Sequence, residues 1–130
     1  MSLLLDTSII IRLEKNDKKT LEALSKLRES DPAPPSIAFI SYFEFLSGLF
    51  EKNPKNKTKS MSFIELFAFL NPTKTTASIL ADIKYKYQKR GVSFSLSDLL
   101  IASQTLEHNM TLVTSDKHFE EIEELKKIIL

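Results

Sequence analysis

Residues Leu3-Leu4-Leu5-Asp6-Thr7-Ser8-Ile9 set three apolar side chains directly before a carboxylate, with two hydroxyls after it and a second apolar run opening at Ile9. A short apolar run without alternation suits a strand buried on both faces, as in a parallel sheet. Asp6 then stands at the carboxyl end of that strand and at the start of a helix. Ligands of open α/β sheets bind along that edge, so Asp6 is a candidate wall of a functional site to which the rest of the chain brings other groups.

The chain downstream alternates in kind. Ser8 to Glu14 reads as a helix packing Ile9, Ile10 and Leu13. Asn16 and Asp17 then give an N-cap signal for a second helix carrying Leu21, Leu24 and Leu27. Asp31-Pro32-Ala33-Pro34-Pro35 stops that helix, because proline cannot continue it and disfavours helix in the residue before. Ser36 to Ile40 is a second strand candidate. Ser41 to Glu44 fits a capping box, opening a helix that is apolar on nearly every side through Tyr42, Phe43, Phe45, Leu46, Leu49 and Phe50. A helix of that kind is buried on more than one face, so Tyr42, Phe43, Phe45 and Phe50 are expected to serve core and subunit interface.

Glu51 to Ser60 is polar and lysine-rich and reads as an exposed connection; Met61 to Leu70 gives a helix, a third strand or both. Thr73 to Arg90 is a long helix packing Ile79, Ile83 and Tyr87, with Gly91 as its natural C′ residue. Ser95 to Asp98 repeats the capping-box pattern. Met110 to Val113 is a strand running into Thr114-Ser115-Asp116. A short helix from Lys117 to Leu125 and a strand from Lys127 to Leu130 follow. The alternation predicts a single α/β domain over residues 1–130, with a mostly parallel central sheet flanked by helices on both faces.

Composition narrows the chemistry. The 130 residues are 42% hydrophobic and 27% charged, an ordinary globular balance, and the net charge of +1 identifies no partner. With no cysteine, disulfides, zinc knuckles, iron–sulfur clusters and cysteine nucleophiles are excluded; with two glycines, neither GxGxxG nor GxxxxGK can be written. No apolar run reaches membrane-spanning length, and no signal-peptide pattern is recognisable, so the protein is expected in the cytoplasm.

Four acids fall at element boundaries. Asp6 and Asp116 each follow an apolar strand, while Glu44 and Asp98 each open a helix. In a parallel sheet all four boundaries share one edge. Carboxylates gathered there repel one another, and a hard divalent cation relieves this through oxygen ligands, typically one or two carboxylates plus waters for Mg²⁺. Such a cation can activate water and clamp a phosphodiester. The competing reading is that acids at helix N-termini are caps, whatever the function. Position leaves both open.

The stretches LLLDTSIIIRL, ISYFEFLSGL, SLSDLLIASQTLEHN and TLVTSDKHFEEI together resemble the PIN domain family, and more narrowly the VapC-type toxins of prokaryotic toxin–antitoxin pairs. The resemblance runs in order through nearly the whole chain. It implies a Rossmann-like PIN domain and a Mg²⁺- or Mn²⁺-dependent endoribonuclease. Asp6 and Asp98 match first-choice metal ligands, Glu44 and Asp116 complete the acidic quartet, and Ser8 and Thr114 match its hydroxyl positions. It also implies an RNA substrate, a homodimer and a small antitoxin covering the site. Ser115 departs from the pattern, since many members carry asparagine there.

The remaining features weigh less. His118 reads as a surface histidine beside Asp116 rather than a general base, and His108 as a helix-end residue. The lysines from Lys52 to Lys59, and the cluster Lys84, Lys86, Lys89 and Arg90, are solvated faces or RNA-phosphate contacts. A haloacid-dehalogenase-like phosphatase would want a second aspartate where Ser8 stands. A receiver domain would want its phosphoacceptor where Asn71-Pro72 stands. The alternatives kept are a PIN nuclease of ribosomal RNA maturation or RNA quality control, and a non-catalytic RNA- or protein-binding PIN module.

Overall fold

The apolar runs become five short parallel strands in the computed structural model, which describes residues 2–130. β1 (Leu3–Leu5), β2 (Ser36–Ala38), β3 (Ala68–Leu70), β4 (Thr111–Thr114) and β5 (Lys127–Ile129) form one sheet in the order β3-β2-β1-β4-β5. β1 lies in the middle, with Leu5 in register with Ile37 on one side and Val113 on the other. Its three leucines are all buried, as their unbroken apolar run requires.

Pleating sends neighbours to opposite faces. Leu3, Leu5, Ile37 and Val113 meet α1 (Thr7–Glu14), α2 (Lys18–Ser30), α3 (Phe39–Lys52) and α4 (Lys57–Ile64) through Ile10, Leu24, Phe45 and Ile64. Leu4, Ala38 and Leu112 meet α5 (Lys74–Lys89), α6 (Leu96–Glu107) and the C-terminal segment through Ile83, Tyr87, Ile101 and Phe119. Each fully buried leucine or isoleucine contributes roughly 1.5–3 kcal/mol, so the two half-cores hold the sheet between them.

Several helix ends follow local chemistry. Asp17 caps α2, its carboxylate accepting from the Thr20 amide at 3.1 Å and the Thr20 hydroxyl at 2.6 Å. Thr73 and Thr76 form a reciprocal capping box on α5. Gly91, at φ +78°, takes the left-handed conformation just beyond the end of that helix.

Four boundaries depart from the sequence reading. The strand expected over Ser36 to Ile40 ends at Ala38, and α3 begins at Phe39, so Ser41 lies inside the helix and fully buried rather than capping it. The Phe39 amide, first of the helix, is satisfied from afar: it donates to Gln104 Oε1 at 2.9 Å, while Gln104 Nε2 donates to the Leu70 carbonyl at 3.0 Å. A buried amide on α6 therefore does the capping. α4 starts within the lysine-rich connection, because Met61, Phe63 and Ile64 anchor its apolar side to the core. The stretch from Lys117 is a 3₁₀ turn (Lys117–Glu121) followed by irregular chain. Only Phe119 lies in that turn; the buried Ile122 and Leu125 follow it, closed by bonds from the Ile122 amide to the Phe119 carbonyl at 3.1 Å and from the Leu125 amide to the Ile122 carbonyl at 3.2 Å.

On α3, Phe45 belongs to the core, Tyr42 is partly buried with its hydroxyl donating to Glu65 at 2.6 Å, and Phe43 and Phe50 are exposed. Among the described residues no helix is long and apolar enough to cross a membrane.

Candidate active site at the carboxyl edge of the sheet

The chain leaves β1 in one direction toward β2 and returns to β4 on the opposite side, so the crevice above β1 and β4 is a topological switch point. Asp6 follows β1 and Asp116 follows β4. Asp98 lies in the first turn of α6, whose C-terminus leads into β4 and whose N-terminus therefore faces the same edge. Two helix N-termini, those of α1 and α6, add partial positive charge there.

Asp6 is 8% exposed. It caps α1, Oδ1 accepting from the Thr7 amide at 2.7 Å; Oδ2 accepts from the Thr114 hydroxyl at 2.6 Å and, more distantly, from Ser8 at 3.4 Å. Burial pushes the Asp6 carboxyl above its ordinary range, with a contribution from the Asp116 charge; the bonds from Thr114, Thr7 and Ser8 only partly oppose this. The Thr114 hydroxyl is fully buried and also accepts from the Asp116 amide at 3.0 Å. One hydroxyl thus links the acids following β1 and β4.

Asp98 is half-buried, and its carboxyl is also pushed up, first by burial and then by the charges of Asp116 and Asp6; Ser95 and His118 act the other way. Ser95 caps α6, its hydroxyl oxygen accepting from the Asp98 amide at 3.1 Å. Asp116 is exposed and caps the 3₁₀ turn, Oδ1 accepting from the His118 amide at 2.9 Å. Cap and site are therefore not alternatives: Asp6 and Asp116 cap, and together with Asp98 they form one mutually repelling group.

Glu44 is tied to the neighbours of Asp6 and Asp98, by a route different from the sequence expectation. It does not open a helix but sits in the second turn of α3, half-buried. The Thr7 hydroxyl donates to its Oε1 at 2.7 Å, and the Ser97 hydroxyl to its Oε2 at 3.1 Å. Thr7 Oγ1 also lies 2.8 Å from the buried Ser41 Oγ. Glu44 thereby braces α1, α3 and α6 against one another. Ser8 and Ser115 meet at 3.3 Å between their hydroxyl oxygens.

Thr7 and Ser97 are the site residues that sequence reasoning missed. Each adjoins a singled-out acid or hydroxyl, and that adjacency was the available signal; their shared partner lies 37 and 53 positions away. The basic cluster on α5 divides. Lys86 pairs with Glu124 at 2.9 Å and Arg90 with Glu123 at 3.2 Å, while Lys89 lies over the Tyr85 ring at 4.8 Å. Among the described residues Lys84 makes no ion pair.

Oxygen donors alone, with carboxyl groups held up by burial and by one another's charge, suit a hard cation. Among the described residues no three acidic or histidine side chains make a ready all-protein cage.

The profile of the family described as PIN domain matches residues 3–125. Among solved structures, the chain is similar to VapBC-1 from nontypeable Haemophilus influenzae, at 30% identity and TM-score 0.79, over 99% of this chain and 98% of that one. It is also similar to VapBC2 from Rickettsia felis, solved bound to a DNA fragment from their promoter, at 22% identity and TM-score 0.82, over 100% and 99%. FitAcB from Neisseria gonorrhoeae is similar at 20% identity and TM-score 0.78, over 97% and 96%. The likeness at 22% and 20% shows the fold. A comparison with curated proteins found no match.

Proposed function

As this chain belongs to the PIN domain family, we propose that it is a divalent-cation-dependent endoribonuclease and the toxin of a VapBC-type toxin–antitoxin pair. The observation that carries the reading is the meeting of Asp6, Asp98 and Asp116 at the switch point, each close enough to raise or be raised by another's charge. Asp6 and Asp98 would hold Mg²⁺ or Mn²⁺, with Glu44 and Asp116 completing the pocket. A bound cation would supply an activated water and charge stabilisation at the phosphate.

The protein's own residues fix the frame for that chemistry. Thr114 and the Thr7 amide hold both Asp6 oxygens, leaving little freedom for the carboxylate to turn. Thr7 and Ser97 clamp Glu44 across three helices. The exposed Asp116 is the acid most open to an incoming substrate or water. Preorganisation of this kind is what electrostatic stabilisation of a transition state requires.

The antitoxin reading rests on likeness to the VapBC structures. The homodimer reading rests on the exposed Phe43 and Phe50 of α3. Retention of all four acids supports a nuclease over a non-catalytic module.

The test is cleavage of total RNA with Mg²⁺, Mn²⁺ or EDTA. We expect cleavage with a cation, none in EDTA, and a loss of at least about 100-fold in Asp6→Asn and in Asp98→Ala. Undiminished cleavage by a folded Asp6→Asn variant, or cleavage persisting in EDTA, overturns the assignment.

A further inference from the structure

Beside the carboxylate edge lies a cleft of about 350 Å³ that the catalytic reading does not use, walled by Lys84 and Gln88 of α5, Val92, Ser93 and Phe94 of the following loop, and Leu99 of α6. We propose that this cleft is a nucleotide subsite: it holds one unpaired base of a single-stranded RNA flanking the scissile bond, with Lys84 taking an adjoining phosphate. The proposal rests on the nuclease reading above and adds where the substrate's neighbouring nucleotide sits.

Four observations carry it. Phe94 of the wall packs on His118, two residues from Asp116, with ring centroids 4.4 Å apart, so the cleft borders the turn that carries one of the acids. The volume falls in the range of small-ligand sites, and the wall combines apolar Val92, Phe94 and Leu99 with the polar ends of Lys84, Gln88 and Ser93. That mixture suits a flat heterocycle with polar edges. Charge points the same way: the neighbouring Lys86 and Arg90 are occupied by Glu124 and Glu123, whereas Lys84 has no ion pair among the described residues.

The wall is also built rather than loose. Gly91 turns the chain at φ +78°, and the Val92 amide donates to the Tyr87 carbonyl at 2.9 Å. Phe94 packs between Tyr87 and His118, with ring centroids at 5.9 and 4.4 Å. His118 Nε2–H donates to the Ser93 carbonyl at 2.9 Å. The turn bearing Asp116 is thus tied to the cleft loop, and ligand-binding walls fixed in advance lose less entropy on binding.

The experiment compares wild type, Lys84→Ala and Gln88→Trp, both sites being exposed on α5 and neither bearing on the core. Cleavage of short single-stranded oligoribonucleotides of mixed sequence is measured beside hydrolysis of bis(p-nitrophenyl) phosphate, which reads the acidic centre alone. Gln88→Trp, filling the cleft, is expected to raise KM for RNA about tenfold with kcat little changed. Hydrolysis of the small diester stays at the wild-type rate. An abasic spacer walked along the oligonucleotide costs the wild type a similar factor at one position near the cut, and costs Gln88→Trp nothing there. Lys84→Ala flattens the dependence of log KM on log salt by about 0.7, the value of one single-strand phosphate contact.

Wild-type KM, salt slope and spacer profile in both variants overturn the subsite while leaving the nuclease intact. A wild type that cleaves neither substrate fails the nuclease reading instead. The cleft is then decided by fluorescence anisotropy of the labelled oligonucleotides in EDTA: weaker binding by Gln88→Trp supports it, and equal binding overturns it.

Discussion

Thr114 shows how much one buried hydroxyl can organise. It donates to Asp6 and accepts from the Asp116 amide, so it holds the carboxylate of one strand and the backbone of the next with a single atom. Replacing it by the near-isosteric valine removes both bonds and leaves Asp6 Oδ2 and the Asp116 amide without this partner. Thr114→Val is expected to cost about 1–3 kcal/mol, the penalty for stranding buried polar groups, and to push the Asp6 carboxyl further up. Urea denaturation at neutral pH checks the cost. In a double-mutant cycle, Thr114→Val and Asp6→Ala should lose less together than the sum of their separate losses. Strict additivity would mean that the bond contributes nothing.

Among elements, the pairing of α5 with α6 is fastened at one end by Glu107, which accepts from the Thr73 and Thr76 hydroxyls that also cap α5. Partial burial raises the Glu107 carboxyl, and the Thr76 and Thr73 hydroxyls together more than offset this, leaving it below its ordinary range. A carboxyl lowered in the folded state contributes stability above its unfolded pKa and loses it as pH falls through the folded value. Glu107→Gln should therefore destabilise the protein by about 1–2 kcal/mol at neutral pH. The gap from wild type should close as pH drops below the ordinary carboxyl range. Thermal melts across that range check both; a pH-independent gap would assign the effect to packing instead.

At the same scale, the helix expected from Lys117 to Leu125 is a 3₁₀ turn that stops at Glu121. Beyond it, separate three-residue turns bury Ile122 and Leu125 without a continuous helix. The start of α3 was not visible at all. Its first amide is met by Gln104, 65 positions away, and nothing local marks such a partner. The apparent capping box at Ser41 was a coincidence of types: Ser41 is buried inside α3 beside Thr7.

For the whole molecule, the sheet divides the apolar residues into two half-cores, with α3 alone reaching both, through Phe45 and Leu49 on one side and Ile40 on the other. Leu4 is central to the second, fully buried and flanked in register by Leu112 and Ser36. Leu4→Ala should cost about 2–5 kcal/mol by transfer and cavity terms, measured by urea unfolding. Activity per folded molecule should survive, because the Leu4 side chain makes none of the hydrogen bonds that hold Asp6. A loss below 1 kcal/mol would mean that the α5–α6 layer collapses onto the cavity.

The sequence by itself determined the class of fold, the central strand and three of the four acids' positions at the carboxyl edge. These depend on local quantities: an unbroken apolar run, a proline stop, a capping residue, a glycine at a left-handed turn. Tertiary structure alone decided which groups hold the acids. Thr7 and Ser97 grip Glu44, Thr114 grips Asp6, and Glu123 and Glu124 engage two of the four basic side chains that looked equivalent along α5. It also opened the cleft beside Lys84, whose walls come from α5, the loop after it and α6. The physical reason is range. Capping and periodicity act within a few residues, whereas a hydrogen bond or ion pair forms wherever packing brings two groups together, and only the folded chain fixes which those are.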